Sequence, residues 1–107
     1  MDHFLNWRDF TGAQTEKFFK TTLWKGEHVM LGLNCLEPGQ SQAVHAHIGA
    51  DKFYFVLTGQ GTFTVGEEKR EAESGTVVIA PAGVSHGVEK LGMERLSLLV
   101  GIAPEVK

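Results

Sequence analysis

The chain holds one cysteine, Cys35, so no intrachain disulfide can form, and a chain without paired thiols fits a reducing compartment. No apolar run approaches the roughly eighteen residues that a membrane-spanning helix needs. The N-terminus, MDHFLNWRDF, lacks the basic segment followed by an apolar one that marks a secretory leader. No block of lysine or arginine occurs, and a formal net charge of −3 argues against nucleic acid as a partner. Helical periodicity is missing too: beyond residue 20 no stretch of about ten residues repeats its apolar positions at helical spacing. These absences leave a cytoplasmic, soluble protein with neither a membrane nor a nucleic-acid partner as the expectation.

What is present points to sheets. The chain has 107 residues, 42% of them hydrophobic, enough for one domain over 1–107 with one core. Its 13 glycines exceed the usual share of about 7% and suit a fold with many tight turns. Residues 16–25 and 28–36 read as strands, with Val29, Leu31, Leu33 and Cys35 on one face at period two. Residues 42–48, 52–58, 62–65, 77–80, 86–90 and 94–102 follow as further strands, separated by glycine turns. The charged run Lys69 to Glu73 belongs on an exposed edge or outer face. Many short strands with turn residues between them predict an all-β sandwich or barrel. Residues 1–15 form an N-terminal arm in which Phe4, Trp7 and Phe10 recur every third position. That arm either covers one end of the barrel or packs on a partner subunit.

Two stretches carry chemistry. In the first, His45 and His47 are separated by one residue, so on a strand their imidazoles share a face, as adjacent ligands of one metal ion do. In the second, His86 follows a Pro81-x-Gly83 turn. Gly39, five residues, His45-x-His47 and a closing Gly59 make the first frame; Gly75, five residues, Pro81-x-Gly83, two residues and His86 make the second. These frames resemble the two motifs of the cupins. The resemblance implies a double-stranded antiparallel β-helix, or jelly-roll barrel, with a divalent transition metal (Fe, Mn, Ni, Cu or Zn) held by His45, His47 and His86. The sequence departs from the cupin pattern at Lys52, where the first motif carries a glutamate ligand, and at Lys90, where the second ends in asparagine.

Alternation puts Lys52, Tyr54 and Val56 on the face that carries the glutamate. Lys52 either snorkels toward the barrel mouth or holds an anionic substrate beside the metal; Tyr54 either donates to a ligand or fills the barrel. Lys52 and Tyr54 are therefore the candidate catalytic residues. Asp51 replaces the missing carboxylate only if a bulge re-aims it. Cys35 is a candidate for the cavity wall, and Lys90 reads as a solvated rim residue. The three-histidine set looks like that of the thiol and diketone dioxygenase cupins, which implies a metal-dependent oxidoreductase acting on a small organic substrate. A non-catalytic small-ligand or sugar-binding barrel and a metal-free isomerase-like barrel are the alternatives. Small cupins pair, so a homodimer is expected.

Overall fold

Period-two patterning and glycine turns give nine antiparallel strands: β1 Phe19–Lys25, β2 Met30–Leu36, β3 Ser41–His45, β4 Asp51–Thr58, β5 Gln60–Val65, β6 Glu68–Glu73, β7 Val77–Ala80, β8 His86–Leu91 and β9 Leu96–Ala103. The computed structural model describes residues 2–104. Five strands form one sheet in the order β1-β2-β9-β4-β7, and four form the other in the order β3-β8-β5-β6. The two sheets face each other as a double-stranded antiparallel β-helix. None of the described helices is long and apolar enough to cross a membrane.

The core lies between the sheets, where Tyr54, Val56, Phe63, Val88, Leu98 and Val100 are buried together. On β4 alternation is strict: Lys52, Tyr54 and Val56 point inward and are buried. β8 likewise turns His86, Val88 and Lys90 inward. The charged strand β6 is largely exposed, as its composition requires.

The central strands β2 and β9 have two apolar faces. Cys35 pairs with Ser97 and Leu33 with Leu99, whereas the inward residues Asn34 and Leu36 pair with Leu98 and Leu96. Cys35 is thus fully buried on the sheet's outer face and does not line the cavity, a correction that follows from residue parity. On the same outer face the Phe53 ring lies where a Cβ on Gly101 would fall, 2.1 Å from its nearest atom, so only glycine permits that contact.

Turn glycines set how the strands reconnect. Gly59, at φ +79°, ends β4, and a side chain there would meet the Arg95 carbonyl oxygen at 2.5 Å. Near the N-terminus, a 3-10 turn spans Trp7–Phe10 and is capped by Asn6, whose side chain accepts from the Arg8 amide. Past that turn the arm is tied to its own barrel: Gln40 Nε2 donates to the carbonyls of Gln14 (2.6 Å) and Lys17 (3.0 Å). Phe4, farther out, remains 87% exposed.

Candidate metal centre

The two histidine motifs meet across one strand pair. His45 on β3 is the cross-strand partner of His86 on β8, and facing residues of an antiparallel pair share a sheet face. Their ring centroids lie 4.4 Å apart. β3 bulges between Gln42 and His45 and ends at His45, so His47 does not sit on a continuing strand as the spacing predicts. It is placed instead by a loop contact, its carbonyl accepting from the Gly83 amide at 2.9 Å. The Pro81–Gly83 turn of one motif thereby positions a histidine of the other. One candidate ligand nitrogen from each of His45, His47 and His86 lies within 4.8 Å of the others.

Ring nitrogen chemistry tests whether this set suits a metal. His45 Nδ1 lies 2.8 Å from the Ala43 carbonyl and His86 Nδ1 lies 3.1 Å from the Val84 carbonyl. A carbonyl can only accept, so each Nδ1 carries the proton and each Nε2 keeps its lone pair. His86 Nε2 is the one buried side-chain polar atom among the described residues with no hydrogen-bond partner. Burial lowers the pKa of His86 against a smaller opposing effect of the Val84 carbonyl, and Lys52 and the other two histidines lower it further. Burial also lowers His47, followed by Lys52, His45 and Lys20. Neutral imidazoles with outward lone pairs converging on one point could hold a transition metal ion.

A cavity of about 370 Å³ opens beside the cluster. His45, His47, Gln42, Asn34, Lys20 and Lys52 supply its polar wall, and Met30, Val100 and Ile102 its apolar one. A recess of about 600 Å³ between the arm and the 37–41 turn is larger but has no histidine, so volume alone does not locate this site.

Lys52 does not snorkel. It is only 5% exposed, its Nζ lies 4.6 Å from the centroid of the Tyr54 ring, and burial, then Lys20, brings its pKa down to about 8. Tyr54 reaches the cavity only indirectly. It is fully buried, its hydroxyl donates to Gln42 Oε1, and burial raises its pKa, keeping it a donor. Asp51 points away from the histidines and accepts from the Ala82 amide at 2.9 Å, so it anchors the Pro81 turn. No bulge re-aims it as a ligand. Lys90 is not solvated: it is 8% exposed, and its Nζ donates to the carbonyls of Leu91 (2.6 Å) and Gly92 (2.5 Å). Gln42, Asn34 and Lys20 are cavity residues that the motif spacing passes over. The available signal was polar side chains at inward positions of β3, β2 and β1.

Residues 32–102 match the family model described as a cupin domain. A protein of Thermus thermophilus, TT1209, has a crystal structure that superposes with a TM-score of 0.91 at 35% identity, covering 96% of this chain and 98% of that one. An uncharacterized protein of Streptomyces coelicolor is 33% identical over 73% of this chain and 73% of its own length. A protein of Thermotoga maritima named as oxalate-binding is 33% identical over 63% of this chain and 55% of its own.

Proposed function

This chain belongs to the cupin family, and on that premise we propose that it is a metal-dependent oxidoreductase of dioxygenase type acting on a small organic substrate. His45, His47 and His86 are the proposed ligands of a divalent transition metal. One observation carries the reading: His86 Nε2 is buried without a partner while its other ring nitrogen is bound back to the chain. A buried polar atom without a partner is costly, and a metal ion would complete it. A divalent ion held by three neutral ligands would supply Lewis-acid and redox chemistry to a coordinated anion.

The chain's own residues bind and orient. Lys52, at the cavity wall, attracts an anionic group of the substrate. Tyr54 is a positioning residue that fixes the Gln42 amide. Met30, Val100 and Ile102 keep one side of the cavity dry. Metal analysis of the wild type and of His45→Ala, His47→Ala and His86→Ala tests the ligand set; each variant should lose the bound ion, and a variant that retains it removes that histidine from the set. Oxygen consumption with candidate small acids tests the reaction.

A second reading, a non-catalytic small-acid binder, draws on the Thermotoga relative named as oxalate-binding; binding without oxygen uptake would favour it. The proposal includes a homodimer. Its support is the outer face of the five-stranded sheet, where Val77, Ile79 and Trp24 are 52%, 58% and 39% exposed. Identical protomers meeting about a twofold axis can cover exposed apolar side chains of this kind with one another. Sedimentation should give about twice the 11.7 kDa chain mass.

A further inference from the structure

The cavity's electrostatics carry more than the presence of an ion. Twelve residues line it, two of them lysines and none an aspartate or glutamate. Lys20 on β1 pairs with Asn34 on β2, which turns it to the same inner face as Lys52, and the two ammonium groups are close enough that Lys20 depresses the Lys52 pKa. Lys52 is only 5% exposed and has neither a carboxylate nor a hydrogen-bond acceptor among the described residues; unlike the sealed His86 Nε2, its ammonium keeps contact with the cavity. A buried charge is normally paired. Lys20 is exposed and open to water, but the buried Lys52, with that second positive charge on the same cavity wall and no acidic residue lining it, calls for an anion from outside the chain. A divalent ion on the three neutral histidines would add two more positive charges, and a monoanion bound to it would leave both lysines unmatched.

Hydrogen-bond polarity agrees. Gln42 uses its carbonyl oxygen to accept from Tyr54, which leaves its amide N–H groups as the donors that it can offer the cavity. Lysine and a so-oriented glutamine supply donors only. The apolar Met30, Val100 and Ile102 suit a short hydrocarbon link, and about 370 Å³ is near the small end of ligand cavities, which run from about 300 to 1,000 Å³.

Resting on the metal reading above, we infer that the ligand of this cavity is a short dicarboxylate, one carboxylate directed at the three histidines and the other held by Lys20 and Lys52, with Gln42 as a neutral donor. Lys52 thus takes over the site occupied by an acidic ligand in the cupin pattern and converts it from a metal-binding to a substrate-selecting position.

The test uses the metal-loaded full chain and calorimetric titration with oxalate, malonate, succinate and glutarate, each against its half-amide. The half-amide keeps the shape and removes one charge. The preferred diacid should bind at least about thirty-fold more tightly than its half-amide, as expected for a charge-assisted contact in a shielded cavity. Lys52→Met and Lys20→Met should each lower that ratio by about ten-fold while changing half-amide affinity little. Lys20 is exposed, so the Lys20→Met variant keeps the test independent of any folding defect at position 52. A ratio within about two-fold at every chain length, no binding by any of the four diacids, or a ratio untouched by both lysine variants overturns the inference. Metal content, measured on the same samples, separates the two ideas. Metal-loaded protein with a ratio near one defeats only the dicarboxylate, whereas protein that takes up no metal defeats the metal reading and this inference with it.

Discussion

Two lysines lie buried on the inner face of the barrel at the positions where the cupin motifs carry glutamate and asparagine, and their surroundings differ. Lys90 delivers its ammonium to two backbone carbonyls of the β8–β9 turn, closing the turn it belongs to. Lys52 instead meets an aromatic face and a cavity, with no acceptor among the described residues. The same side chain is structural where the chain supplies its partner and available for binding where it does not. Burial alone, nearly equal for the two at 8% and 5% exposure, does not tell them apart; the presence of an acceptor does.

The strongest way to break the comparison is Lys90→Met. The two carbonyls would lose a charged donor, though water can reach the exposed Gly92, and stability should fall by about 2 kcal/mol. Calorimetry should register this as a drop in melting temperature of at least about 10 °C; an unchanged melting temperature would mean that the ammonium contributes nothing net to the turn.

Next comes Lys52→Glu, which supplies the carboxylate of the cupin pattern. Replacing a positive by a negative charge beside the histidines should tighten divalent metal binding by on the order of a hundred-fold. Competition with a chelator measures it, and unchanged or weaker binding would show that position 52 does not sense the ion.

An effect of opposite sign to that at Lys90 is expected for Lys52→Met in metal-free protein. Removing a buried charge without a partner should raise stability at pH 7 by about 1–3 kcal/mol, read from urea denaturation. Destabilisation instead would reveal a partner in the folded state and erase the contrast between the two lysines.

The finest test is pH. The folded Lys52 pKa is lowered to about 8 from 10.5, so between those values the unfolded chain binds more protons than the folded one. The sign is then fixed: this group makes stability rise as pH climbs from about 8 to 10.5 and adds no pH dependence below that window, where both states are protonated and its cost is constant. Urea midpoints of the metal-free wild type should climb across the window, and the climb attributable to this group should vanish in Lys52→Met. A pH profile identical in the two proteins would show that Lys52 titrates no differently when folded.

Residue spacing by itself determined most strand positions along the chain, the inward parity of Lys52, Tyr54 and Val56, the exposed charged strand β6, and the identity of the three clustered histidines. Those features are local or framed by glycines whose positive φ forces a turn wherever they occur. Tertiary structure decided the rest. The meeting of His45 with His86 requires the β3–β8 register, and His47 is placed by the Gly83 amide rather than by strand alternation. Which face of β2 lines the cavity depends on where the second sheet lies; hence Asn34, not Cys35, lines it. Whether a lysine is solvated, satisfied or unpaired depends on which acceptors the folded backbone brings within about 3 Å of its nitrogen. Lys90 finds two carbonyls just beyond it in the chain; Lys52 finds none, and no pattern of residue types along one strand encodes that difference.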